Sequence, residues 1–532
     1  MQKIYCFVLL ILFSENLSAQ TNVSLLGRKT YPGKECSALW GYTAPDGREY
    51  ALEGVEDYLS IVDITNPTSP IEVAQVPCSN SIWHEIKTYS HYAYMVSDQT
   101  ADGVIIVDLQ NLPNSVTHTS WFGEGTPGLT VTRAHTLWID TLEGILYLNG
   151  GSKILNGTNY NGTTFHDIKT NPLQPAWLGA YNDRYVHDAY VRDNFLYTAE
   201  VYDGYCSIVD ISNKSNPVKI TDFKTPSAFT HNTWLSDNSK YLYTTDEVGG
   251  SRIGVYDIND LSDVKLVSTF KSTSTNPAII HNVHVLNDFL VMSYYRDGIV
   301  IADAREPEVC VNMGNYDTSP QTGDGFNGCW EVYPYFPSGN MIASDIEQGL
   351  FVLKPTYVRG SHLKGTVYDF IIKNPILSAI VKLVGAGLND NTDISGKYII
   401  GRKVEGSVNV EISKNGFITQ TINNVPFTKG VTTELNIGLL KVGTAVTYNN
   451  IYDVSLVNNP VSNALYLNIP RNFPGNLIYE MTDISGKSIG RGTIQQAGTI
   501  QISETVSLSS GIYFISIKDD TQAIFLGKFV KQ

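Results

Sequence analysis

From residue 22 to 354 the chain alternates short apolar runs with polar turns, and the runs repeat. YLSIVD, GVIIVD, YCSIVD, RIGVYD and GIVIAD each end in aspartate; TTFHD is a degenerate copy and GLFVLKP takes the last place. Runs this short, rich in valine and isoleucine and bounded by Asn, Gly and Pro, read as β-strands. Each follows a second hydrophobic pair such as HYAYMVSD, FLYTAEV, KYLYTTDE or NMIASDIE, which reads as a hairpin. Ahead of each hairpin stands Trp40, His84, His135, His187, His231, His281 or Trp330, at spacings of 44, 51, 52, 44, 50 and 49 residues. Seven units of this length, each with three strands and a PIEVAQV-like fourth, predict an all-β, seven-bladed β-propeller over residues 20–355. The seventh unit stops after three strands. Val23–Thr30 resembles the fourth strands elsewhere, so it is expected to complete that blade and cover its edge.

The repeated aspartates Asp63, Asp108, Asp210, Asp257 and Asp303 stand where a carboxylate can accept from backbone N–H groups and start a turn. No DxDxDG loop occurs, so they read as turn residues rather than calcium ligands. Beyond the linker PTYVRGS the pattern changes. Residues 362–442 give strand, loop, strand, a TDISGKY turn and two more strands. Residues 456–532 give NNPVSN, a TDISGKS hairpin, SLSSGIYF and a basic last strand. Both are strand-rich modules, and the family resemblances they carry imply small β-sandwiches.

The first 19 residues do not fit the repeat. A short basic MQK, an apolar IYCFVLLILF and the small-residue end SENLSA have the form of a signal peptide over 1–19. No later apolar run is long enough to span a membrane, so the mature chain is expected to be exported with no transmembrane segment. Net charge is −15 with no basic run, which argues against a nucleic-acid partner. Five cysteines remain after the leader. Cys36 with Cys78 and Cys310 with Cys329 are candidate disulfides, leaving Cys206 as a thiol.

Hairpin pairing suggests chemistry. Counting across the turns places His84 near Asp98, His187 near Glu200 and His231 near Asp246, with Trp40 near Glu53 and Trp330 near Asp345. His135 falls near Asn149 and His281 near Ser293. If these strand ends share one mouth of the channel, His84, His135, His187, His231, His281, Asp98, Glu200 and Asp246 form a candidate transition-metal site. The competing reading, favoured here, is that each histidine serves its own blade. His284, three residues past His281, is expected to face the other way, and His91, His118 and His166 lie outside the repeated position. Loops 123–134, 150–162 and 318–328 are expected at the same mouth, where their Gly, Asn and Thr suit polar binding. Phosphate-loop and HExxH motifs are lacking.

Three resemblances carry further expectations. SIVDI and IIVDL, with the HEI, HDA, HNT and HNV set, resemble the LVIVD-repeat, choice-of-anchor B proteins, whose fold is taken to be a propeller. GxVxD, AIVKL and TDISGKY resemble the carboxypeptidase regulatory-like sandwich, a module that usually has no catalytic residues. NNPVSN, DISGK, LSSGIYF and the basic end resemble the type A sorting domain of the type IX secretion system. That last resemblance implies the type IX machinery as a partner, and cell-surface attachment or release. Together they favour a surface module that binds a polysaccharide or protein. The alternative is a metal-dependent enzyme at the histidine-ringed mouth.

Overall fold

The computed structural model describes residues 20–273, 277–442, 452–473, 475–519 and 523–532, so the predicted signal peptide lies outside the described residues. The chain divides into two compact units, Met1–Arg359 and Gly360–Gln532. Strands dominate both, and no helix among the described residues is long and apolar enough to cross a membrane.

Among its described residues the first unit holds seven four-stranded antiparallel sheets and one three-stranded sheet. Six of the seven are built from strands consecutive in a meander, with the sheet at Thr136–Asp140 interrupted by an inserted hairpin. In the remaining sheet Cys329–Tyr333, Met341–Asp345 and Gly349–Pro355 are joined by Val23–Lys29, which pairs antiparallel with Gly349–Pro355. The N-terminal strand therefore closes the last sheet, as its sequence predicts. The first strands adjoin in order: Cys36–Thr43, His84–Tyr89, Thr136–Asp140, Asp188–Arg192, Thr230–Leu235 and Val283–Leu286. Cys329–Tyr333 packs on Phe289–Tyr294 of the sixth sheet and on Cys36–Thr43 of the first, so the neighbours return to their start. Small four-stranded sheets in this order are consistent with a β-propeller.

The aspartates do what their position predicts. Asp63, Asp108, Asp210, Asp257 and Asp303 accept from the amides of Thr65, Gln110, Ser212, Asn259 and Arg305 at 2.8–3.2 Å. Middle strands such as Tyr58–Asp63 are buried on both faces between neighbouring sheets, which is why they read as continuous apolar runs rather than alternating ones. Loops 123–134 and 150–162 are more ordered than their composition suggests. Leu129–Arg133, Ser152–Leu155 and Thr158–Tyr160 form the three-stranded sheet. The fully buried Lys153 pins it by donating to the carbonyls of Gly150 and Gly162, and burial brings its pKa down to about 7.

The second unit contains two hydrophobic cores. Ser361–Asp369, Lys397–Arg402, Thr432–Glu434 and Ile437–Leu439 form one sheet, and Ile380–Leu383, Leu388–Asn391, Gly406–Ser413 and Gln420–Phe427 another. They share a core that includes Leu363, Val381, Val410 and Phe427. Residues 455–531 repeat this plan around Leu467, Met481, Ile515 and Phe529. The two TDISGK motifs adopt one turn. Asp393 accepts from the amides of Ser395 and Lys397, and Asp483 from those of Ser485 and Lys487. Gly396 and Gly486 sit at φ 73° and 81°, where a side chain is strained.

Candidate functional site

The first strands line a cavity of about 570 Å³. Its walls hold both the repeated histidines and residues one and three positions further along each strand. On a regular strand residues i and i+3 point apart, yet His281 and His284 both face the cavity. The strand starts explain this. His187 and His281 stand just before their strands, and register shifts fall at His231 and Trp330. Each device frees the leading residue from the alternation of the pleat. His284 thus lines the cavity, contrary to expectation, but in another layer, where it pairs with Glu331 at 2.9 Å.

The leading residues form a stack. Ring centroids of His135 and His187, His187 and His231, and His231 and His281 are 4.1, 4.3 and 4.3 Å apart, and Trp330 lies 4.7 Å from His281. Nδ1 of His187 donates to the His231 carbonyl, Nδ1 of His231 to the His281 carbonyl and Nδ1 of His281 to the Trp330 carbonyl, at 3.1, 3.1 and 2.5 Å. A carbonyl only accepts, so the proton is on Nδ1 and the Nε2 lone pair is left for the cavity. Burial holds His187 and His281 well below the ordinary histidine pKa, assisted by the neighbouring rings, so both are neutral at pH 7.

His84 belongs to the stack by sequence but not by contact. Its Nδ1 faces Ser37 Oγ at 3.4 Å and its Nε2 faces Cys78 Sγ at 3.5 Å, and burial pushes its pKa down to about 4. Ser37, not Trp40, therefore occupies the leading position of the first sheet. Trp40 sits three residues further on, against Tyr333 and beneath the Lys87 ammonium.

The expected acids are placed differently. Pairing is His84 with Ser97, one residue off the expected register, and Asp98 instead meets His135 Nδ1 at 2.5 Å. Glu200 is opposite His187 as counted, but its carboxylate takes Arg184, Thr198 and Ser207 at 2.7, 2.9 and 2.7 Å. Asp246 accepts from Thr225 Oγ1 and from the amides of Ser227 and Phe229. Both acids are fully buried and already satisfied, so neither joins the histidines. The residue that does is Glu247, 3.6 Å from His231 Nε2 and 3.9 Å from His281 Nε2. Among the described residues, His231, Glu247 and His281 are the group whose ligand atoms lie close enough to share an ion. The Asp246–Glu247 pair was visible in the sequence; the bulge that hands the role to the second acid was not. Glu53 and Asp345 are buried beneath the first and last sheets rather than displayed at the mouth.

A deeper layer of rings closes the cavity: Trp138, Tyr190 and Trp234 lie 4.6–5.2 Å from one another. Between the layers Asn232 donates to Asp188 and Asn282 to Glu331, each at 2.7 Å. Trp138 Nε1 and Asn282 Oδ1 are buried there with no hydrogen-bond partner. At the rim Trp83, Tyr202 and Phe326 line the cavity while remaining 39, 76 and 59 % exposed. Phe326 comes from loop 318–328, as expected of a mouth loop; loops 123–134 and 150–162 contribute no lining residue.

The candidate disulfides do not form: Cys36, Cys78, Cys206, Cys310 and Cys329 are all thiols. Cys36 opens the innermost strand of its sheet and Cys78 follows the outermost, about three spacings of ~4.8 Å away, too far to bridge. Cys310 and Cys329 likewise belong to an outer strand end and an inner strand, and pack in different cores.

Comparison with known families finds LVIVD repeats at residues 49–77 and 183–225, within the first and fourth sheets. It finds a secretion system C-terminal sorting domain at 458–532. No curated protein matches the chain. The chain thus carries LVIVD repeats ahead of a type IX sorting domain, which marks it for secretion and attachment at the cell surface.

Proposed function

We propose that this exported protein is a surface-displayed binding module: a seven-bladed propeller over 20–355, a carboxypeptidase regulatory-like sandwich over 362–442 and the sorting domain over 456–532. The ligand enters the mouth of the propeller and is a surface polysaccharide. The observation that carries this reading is the wall of the cavity. Exposed rings at the rim offer flat apolar faces for sugar rings, and the unpartnered Trp138 Nε1 and Asn282 Oδ1 offer one donor and one acceptor inside. A buried polar atom left unpaired costs about 1–3 kcal/mol, and a hydroxyl-bearing ligand recovers part of it. Binding of the purified protein to an array of bacterial glycans tests the reading. A Trp83→Ala, Tyr202→Ala, Phe326→Ala variant should lose at least tenfold in affinity. Absence of glycan binding by the native protein, or binding indifferent to these three rings, refutes it.

A further inference from the structure

We infer that the same mouth holds one divalent transition-metal ion of the zinc type, bound by His231 Nε2, His281 Nε2 and a Glu247 carboxylate oxygen, with His187 as the adjoining imidazole. The inference places a metal in the proposed binding site but does not depend on what ligand the propeller takes.

Separation is the first argument. The two Nε2–carboxylate distances, 3.6 and 3.9 Å, are too long for hydrogen bonds. Ligand atoms about 2.0–2.2 Å from a tetrahedral ion are about 3.4 Å from each other, so a small contraction seats one between them. Orientation is the second. Each histidine has its Nδ1 proton committed to a backbone carbonyl, which fixes the ring and aims the Nε2 lone pair inward. Glu247 is held in turn by the Tyr295 hydroxyl, which donates to Oε1 at 2.5 Å. Outer-shell bonds of this kind are what ligating imidazoles and carboxylates carry in metal sites.

His84 provides an internal control, because its Nδ1 and Nε2 lie against Ser37 Oγ and Cys78 Sγ, at 3.4 and 3.5 Å, and it is no part of the ligand group. His135 is turned to Asp98. Three protein ligands leave a coordination position for water or for an oxygen of whatever enters the mouth.

The test uses the full chain, stripped with chelator and reloaded separately with Zn²⁺, Cu²⁺ and Mn²⁺. After desalting, metal analysis is expected to give about one Zn²⁺ or Cu²⁺ per chain, and Cu²⁺ spectra should show nitrogen coupling. Glu247→Gln, nearly isosteric, and His281→Ala should each lower affinity at least tenfold, and His84→Ala should leave it unchanged. Circular dichroism verifies that each variant is folded. Failure of the native protein to retain metal overturns the inference, as does stoichiometric metal that survives a folded Glu247→Gln, His231→Ala, His281→Ala variant. Glycan binding by stripped protein that retains no metal on reloading leaves the binding role standing and refutes the metal alone.

Discussion

The mouth of the cavity lined by the first strands has two unlike halves. Across the fourth to sixth sheets His187, His231 and His281 stack with Nε2 open, and the acids behind them, Glu200 and Asp246, are fully hydrogen-bonded. Across the seventh, first and second sheets the leading residues are Trp330, Ser37 and His84, the last turned into Ser37 and Cys78. Here the acids are poorly served. Glu53 is fully buried with neither carboxyl oxygen in a good hydrogen bond, and Asp345 Oδ2 is equally unmet. The repeat sets where a residue stands; its neighbours in the next sheet decide whether it becomes a ligand, a packed ring or a strained acid. One half is built to present chemistry, and the other holds a cost.

The contrast can be broken first at Glu200. Its charge is compensated by Arg184, whose second nitrogen reaches Asp222 at 3.1 Å. Arg184→Ala should leave a buried carboxylate unpaired and lower stability by about 3 kcal/mol, read as a reduced urea midpoint with unchanged slope. An effect below about 1 kcal/mol would show that the two halves do not differ in how they hold their acids.

Glu53 provides the opposite case. Burial raises its pKa well above the ordinary value, against the Cys36 thiol, which lowers it, and with Asp345, which raises it further. The folded state then holds a proton that the unfolded chain releases above pH ~4.5. This contribution is fully present below that pH and is lost as pH rises toward the folded pKa, at up to about 1.4 kcal/mol per pH unit. Glu53→Gln should remove that slope and make the protein more stable than wild type at pH 7, as measured by denaturant titration across pH 4–8. Asp345, lifted to about 6 mainly by burial, should leave a smaller residual slope of the same sign.

His84→Ala removes a ring that lies outside the proposed ligand group. The expected loss is about 1 kcal/mol, from packing and its contacts with Ser37 and Cys78. Smallest of all, reducing agent should not change the melting temperature, and thiol titration of the unfolded mature chain should count five cysteines. A drop on reduction would restore a disulfide to the poorly served half.

The sheets were legible because their signals are local. An aspartate that caps a turn, a hairpin and an apolar third strand recur in one order, and Val23–Lys29 reads as a fourth strand wherever it lands. The site was legible only in outline. His187, His231 and His281 were found by spacing, but a bulge of one residue moves the partner of His231 from Asp246 to Glu247, and no sequence pattern marks it. Trp40 falls in line with the histidines by spacing, whereas the residue in their structural position is Ser37. The Cys36–Cys78 pairing failed for a related reason: nearness to successive inner strands along the chain says nothing of inner against outer position in the sheet.

Pairing of Val23–Lys29 with Gly349–Pro355 also has a mechanical meaning. A protein attached to the cell surface toward its C-terminal end, and tugged by whatever it has captured, passes the load to Gly349–Pro355 after the Arg359 contacts with Asp288 and Asp303. That strand is flanked by Val23–Lys29 on one side and Met341–Asp345 on the other. Force along it is met in shear, with both ladders strained together rather than peeled one bond at a time. The strand that closes the ring is thus also where the ring is fastened against being pulled open.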